Sequence, residues 1–197
     1  VHPTSIRISL NEYREKEVFI NPSFYIIPMS GYTLVGKPSI KPEAITITGL
    51  RKLVETIDYA YAQPETLVNV NENINISVPI DPPTGKDLEY SHNEFNFIQI
   101  IQKIDERIIS EIPVKILNKD SEMSIFTSPQ TVSLTVVGGA EYISSIKPSE
   151  LEVSVDFNNW RKDKQFYDIR VKAPNDVIDW MDLSPMSIEL IVSQKNN

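Results

Sequence analysis

The chain has 197 residues, no cysteine, 27 acidic side chains against 19 lysines and arginines, a formal net charge of −8 and a pI near 4.8. No disulfide, thiolate nucleophile or cysteine zinc site can form, and the negative field disfavours a phosphate backbone, so nucleic acid is not expected as a partner. At 41% hydrophobic and 23% charged residues this is the composition of a folded globular chain, long enough for one large domain or two of about 100 residues. No apolar run approaches the roughly 18–20 residues that a membrane-spanning helix needs.

In chain order, "VHPTSIRISLNEYREKE" (1–17) reads as a connector or the tail of a preceding module, and a start at Val1 suggests a processed product or a piece of a longer protein. "EVFINPSFYII" reads as strand. "PEAITITG" (42–49) follows, with Ile45 and Ile47 on one face of the pleat and Thr46 and Thr48 on the other. After Gly49, "LRKLVETIDYA" carries Leu50, Leu53, Val54 and Ile57 at helical spacing, enough for a helical turn. The segments "NINISVPI", "EFNFIQII", "EIPVKIL", "TVSLTVV", "LEVSVDF", "FYDIRVKA" and "MSIELIV" alternate β-branched and aromatic residues with polar ones. Fourteen prolines leave little room for long helices. The expected class is mostly β, with at most short helical turns.

The arrangement at 42–49 returns at 129–139 as "PQTVSLTVVGG". Pro42, Ile45 and Ile47 fall on Pro129, Val132 and Leu134. With two residues entering the second copy, Gly49, Leu53, Val54 and Ile57 fall on Gly138, Tyr142, Ile143 and Ile146. Near the ends, "YSHNEFNFI" lies over "LSPMSIELI", pairing Phe95 with Ile188 and Phe97 with Leu190, and placing His92 where Pro185 stands. Upstream, "INPSFYIIP" over "SEIPVKILN" sets Phe24 and Ile26 against Val114 and Ile116. The expectation is two tandem, similar, mainly antiparallel β domains at 18–102 and 105–195, joined near "KIDER". Ile47, Leu134, Phe97 and Leu190 should be buried, and Thr46 and Ser133 should face outward.

Chemistry-bearing constellations are sparse. His2 and His92 lack companion ligands at zinc spacing, and no nucleophile elbow or phosphate-cradling loop occurs. Asp176, Asp179 and Asp182, like Asp81 and Asp87, read as turn residues rather than calcium ligands. The "NIS" sequon at Asn75 is expected to be incidental. No catalytic, cofactor-binding or metal residue is assigned, no cofactor is expected, and the chain is expected not to be an enzyme. One stretch stands apart: "NNWRKDKQFYD" sets Trp160 beside Arg161, Lys162 and Lys164 in an acidic protein. Trp and Arg dominate the energetic centres of interfaces, so Trp160, Arg161 and Lys162 are the candidate partner contact; the competing reading is a tryptophan covering the edge of the core between lysines that protect an edge strand. Trp180 is expected in the core.

The ordered set "EIPVKILN", "SPQTVSLTVVGGAEYISSI", "VSVDF" and "DLSPMSIELIV", with "SGYTLVGKPSIKPEAITITGLRKLVETI" in the first half, resembles the YbbR-like domain family over about residues 18–195. That resemblance implies tandem β modules without enzyme activity, held outside the cytoplasm at the bacterial cell membrane by an anchor upstream of this chain. It also implies a regulatory or scaffolding role through a protein partner, with a membrane-bound diadenylate cyclase as the candidate and cyclic di-AMP signalling as the context. The alternatives are a surface adhesin or carbohydrate-binding β module and, third, a hydrolase.

Overall fold

The computed structural model describes residues 12–82 and 87–194. They divide into two compact units: the first takes the residues up to Met29 together with Gly36–Ile100, and the second takes Ser30–Val35 and everything from Ile101 onward. Among the described residues the only α-helices are two short ones, and the fold is mostly β.

The first unit is built on β1 (Tyr13–Asn21), β4 (Ala44–Leu50), β5 (Tyr59–Tyr61) and β8 (Leu88–Tyr90), which form a sheet in the order β5-β1-β4-β8. β1 runs antiparallel to β4, with Val18 opposite Ile45 and Tyr13 opposite Leu50. β5 runs parallel to β1, with Ile20 opposite Ala60. The alternation read at 44–50 is realised, since Ile45, Ile47 and Gly49 are buried and Thr46 and Thr48 lie half-exposed between them. β2 (Phe24–Pro28) pairs in parallel with β6 (Glu65–Val70). β7 (Ile74–Pro79) pairs antiparallel with the first part of β9 (Glu94–Leu117), which sets Ile76 opposite Phe97. Phe97 is buried and stacks on Phe24, ring centroids 4.3 Å apart. β3 (Tyr32–Lys41) leads into β4. The helical turn expected after Gly49 is α1 (Arg51–Val54), with Val54 fully buried.

In the second unit, residues Ile104–Pro113 of β9 run antiparallel to β11 (Thr131–Gly139), which is followed by α2 (Ala140–Ser145). The next four residues of β9 run parallel to β12 (Glu152–Asp156), with Val114 opposite Val153. β14 (Arg170–Lys172) covers the far edge of β12, and β15 (Val177–Ser184) covers that of β11. β10 (Met123–Ser128) and β13 (Phe166–Asp168) flank β16 (Ser187–Gln194). Two apolar clusters form the core. One gathers Ile112, Leu134, Val136, Ile143 and Val153. The other gathers Ile125, Val155, Tyr167, Ile188 and Leu190. The four residues expected to be buried are so: Ile47, Phe97, Leu134 and Leu190 expose 0, 1, 1 and 7% of their surface.

Matching positions carry matching backbone features. Pro42 and Pro129 both follow cis peptide bonds. Gly49 lies opposite Leu88 as Gly138 lies opposite Val177. A Cβ on either glycine would meet the carbonyl oxygen of the residue just before that partner, Asp87 or Asp176. The glycine is needed in each case for close backbone approach, not for an unusual φ.

Several expectations are corrected. Residues 1–11 of the expected connector, with His2, lie outside the described residues, but Tyr13–Glu17 are strand, paired with Leu50–Thr46. The upstream alignment is four residues out. Ile20 N–H donates to Glu43 O and Val114 N–H to Gln130 O, so Val114 corresponds to Ile20 rather than to Phe24, and proline spacing was a false guide. Asp179 and Asp182 are not turn residues but part of β15. Trp180 is 38% exposed rather than core. β15 is an edge strand, paired on one side only by β11, so although Trp180 stands opposite the buried Val136, among the described residues no further strand covers the indole. Asp81 and Asp87 are described, but most of the turn between them is not. Asn75 sits exposed on β7. His92 is exposed too, its Nδ1 3.0 Å from Ser91 Oγ, which itself accepts from Thr46 N–H.

Candidate partner-binding loop

The stretch singled out by its tryptophan and its positive charge is the connection from β12 to β13. β12 ends at Asp156, whose carboxylate accepts from Asn158 N–H at 3.0 Å and from Asn118 Nδ2 at 2.8 Å. The Asn118 amide first, and then the Asn158 N–H, hold this exposed carboxyl below the usual aspartate range. The capped end turns into a single 3₁₀ turn, Phe157–Asn159, closed by Trp160 N–H to Phe157 O at 2.9 Å. The indole stacks on Phe157, centroids 5.6 Å apart and planes 18° apart. It lies half-buried against the cluster of Ile125, Val155, Tyr167, Ile188 and Leu190.

Beyond Trp160 the chain turns over one buried side chain. Tyr167 is 2% exposed, yet its hydroxyl reaches back under the loop. It accepts from Arg161 N–H at 3.1 Å, donates to Lys164 O at 2.7 Å and has Arg161 O at 2.9 Å. Lys164 Nζ stands 5.1 Å from the centre of the same ring. A loop tied from beneath in this way loses little freedom when something binds it. Arg161, Lys162 and Lys164 are exposed on it.

The three candidate residues are thus divided by the structure. Arg161 and Lys162 face solvent, whereas Trp160 does what the competing reading gave it: its ring covers the edge of the second cluster. Two clefts flank the loop. One, about 510 Å³, is lined by Arg161, Lys164 and Arg170 with Asp156, Asp168 and the Asn158–Asn159 pair. The other, about 290 Å³, runs from Trp160 and Lys162 to Glu189 and Val192. Reasoning from residue order missed Arg170 and Tyr167. Tyr167 is an alternating strand residue whose inward face could be read, but the reach of its hydroxyl could not. Among the described residues no group of three or more His, Asp or Glu side chains could hold a metal ion.

Residues 18–88 match the family model described as YbbR-like protein. These residues form a YbbR-like domain. The matched stretch runs from the middle of β1 to the start of β8, so it holds the β1–β4–β5 ladder, Gly49 and α1. Two solved structures are similar. A YbbR-like domain from Listeria monocytogenes is 23% identical, with 47% of this chain and 97% of that one covered and a TM-score of 0.39. A YbbR-like protein from Streptococcus pneumoniae is 15% identical over 96% of this chain and all of that one, with a TM-score of 0.35. No curated protein matches the chain.

Proposed function

We propose that the chain is a non-enzymatic module that works by contact, held on the outer face of a bacterial cell membrane by an anchor elsewhere in its parent protein and regulating a membrane partner there. The observation that supports this reading is the loop above. An acidic chain presents Arg161, Lys162 and Lys164 together on a loop whose backbone is tied by the buried Tyr167 hydroxyl, which favours recognition of an acidic surface on another protein. The YbbR-like domain adds the context: the family resemblance points to a membrane-bound diadenylate cyclase as that partner. Tethering raises the local concentration of such a module, into the millimolar range for short flexible linkers, so a weak interface is enough.

The test compares the parent protein in its own membrane, the same protein lacking residues 18–195, and the soluble piece supplied alone, with cyclic dinucleotide output as the readout. Deletion is expected to change output, and the soluble piece is expected not to restore it. Unchanged output after deletion, under every growth condition tried, would overturn the reading. Replacing Arg161 and Lys162 with alanine in the full-length protein then asks whether this loop is the contact: a change in output like that of the deletion places it there, and wild-type output removes the loop from the proposal.

A further inference from the structure

A third cleft, on the first unit and unrelated to the loop, has a different chemistry. Its volume is about 610 Å³. Three tyrosines line it: Tyr59 and Tyr61 from the edge strand β5, and Tyr90 from the end of β8. Ala60, between the first two, is fully buried, so Tyr59 and Tyr61 share the outer face and stand 47% and 51% exposed. Their ring centroids are 6.4 Å apart and their planes are inclined by 57°. Two large aromatic rings left half in water on a strand whose other face is sealed form a surface without an internal partner to satisfy it.

The polar lining is acidic. Among the described residues, Asp58 and Asp81 are the charged residues of the cleft, and no lysine or arginine lines it. Asp58 accepts from Lys16 Nζ at 3.1 Å, and the same ammonium donates to Ile57 O at 2.7 Å. Asp81 is held against the tyrosines by its backbone, since its N–H donates to Tyr61 O at 2.8 Å, and among the described residues no cation forms an ion pair with its carboxylate. Burial first, and then the charge of Asp81, push the Tyr90 phenol above its usual range, so Tyr90 is a neutral ring next to a carboxylate.

We propose that this cleft binds an organic cation, an alkylammonium group seated among Tyr59, Tyr61 and Tyr90 with Asp81 as counter-ion. Electron-rich ring faces attract cations, and several rings set at angles to one another suit a rounded ammonium. The same inclination does not suit a flat sugar ring, which stacks on one broad face. Anions are opposed by both carboxylates. The group has two possible sources, a free methylated amine or a lysine of another protein.

The test is a titration of the ¹⁵N-labelled chain at constant ionic strength, following the amides of Tyr59, Tyr61 and Tyr90. The probes are tetramethylammonium, N-acetyl-lysine amide, neopentyl alcohol as a neutral molecule of similar size, and glucose. Saturable shifts are expected with a cation, with a Kd on the order of 1 mM, and neopentyl alcohol should bind at least about fivefold more weakly. Tighter binding of the lysine amide than of tetramethylammonium assigns the group to a protein side chain; the reverse order assigns it to a free amine. Tyr61→Leu should weaken cation binding about fivefold or more and Tyr61→Phe should leave it unchanged, while Asp81→Asn should weaken the cation without affecting the neutral probe. Equal binding of neopentyl alcohol, saturation by glucose alone, or wild-type affinity in Tyr61→Leu would overturn the proposal. The comparison between cation and neutral probe is made on the unaltered protein, so it stands even if a variant misfolds.

Discussion

The two units secure their helical turns at the same place with different strength. In the first, Lys16 stands on β1 opposite Ile47 and donates to Ile57 O at 2.7 Å. In the second, Arg107 stands on β9 opposite Val136 and donates through one nitrogen to the carbonyls of Ile143, Ser144 and Ile146 at 2.7, 2.7 and 3.1 Å. A cation at the C-terminal end of a helical turn satisfies carbonyls left without intrahelical donors, and a guanidinium presents more donors in a fixed plane than an ammonium does. The units also differ at the parallel strand. Past β5 the described residues add only the Ala62–Ile80 bridge and the Asp81 N–H bond to Tyr61 O, which leaves Tyr59 and Tyr61 half in solvent, whereas β12 is covered by β14 and continues into the loop of Trp160. A common frame therefore constrains the inner faces and the carbonyl anchors, while the edge beside the parallel pair is free to carry different surface chemistry in each unit.

The strongest way to break this comparison is to open the cores. Ile47→Ala and Leu134→Ala should each cost about 2–5 kcal/mol, because both side chains are fully enclosed, while Thr46→Ala and Ser133→Ala on the opposite faces should stay within about 0.5 kcal/mol. Chemical denaturation that ranked them the other way would mean a register wrong by one residue.

Next in size are the glycines. Gly49→Ala drives a methyl group into the Asp87 carbonyl, a backbone atom that cannot swing away. Gly138→Ala meets the movable Ile143 Cγ2 at 2.8 Å and Asp176 O at 3.0 Å. Both should destabilise, by about 1–3 kcal/mol, with Gly49→Ala the worse in thermal or urea unfolding; equal tolerance would show that the two close approaches are not the same feature.

Tyr167→Phe removes the hydroxyl under the loop and leaves Arg161 N–H and Lys164 O to find other partners. A loss of about 1–3 kcal/mol is expected, together with faster amide exchange at Arg161 and Lys164. Smaller again, Arg107→Met should cost more than Lys16→Met, each within about 0.3–2 kcal/mol; the reverse order would remove the distinction drawn between the two cations.

The smallest effect is a pH dependence. The Asp156 carboxyl is held below its unfolded value by Asn118 and Asn158, so its contribution to stability is present above the unfolded pKa of about 3.9 and is lost as pH falls through the lower folded value. Asp156→Asn should lower stability by a constant amount across the neutral range and remove that part of the acid limb from an unfolding-versus-pH profile, so that variant and wild type converge at low pH; an identical acid limb would show that the contacts do not favour the ionised form.

Legibility in the sequence followed how local each constraint is. Ile45 and Ile47 against Thr46 and Thr48, the paired glycines and the two helical turns could all be read, because pleat alternation and helical spacing act over a few residues. The cationic loop could be located by its composition, but not the division of labour within it. Nothing near Trp160 in the chain says that its ring will stack on Phe157, or that the Tyr167 hydroxyl will reach back to Arg161. The tyrosine cleft was not seen at all, since its parts come from 56–61, 81–82 and 90 and meet only where loop and strand ends converge.

What the sequence by itself determined is the mostly β class, the inward face of most strands and the return of one pattern in both halves, because burial of alternating apolar residues does not depend on which strand lies alongside. What only the tertiary structure decided is strand order and register. These place Ile20 rather than Phe24 at the position of Val114 and leave β5 an edge while covering β12, and they leave Trp180 on the edge strand β15. The reason is physical. Ladder hydrogen bonds join any two backbones equally well, so the choice of neighbour, and with it which strand is left at an edge, is made by packing and chain connectivity across the whole unit.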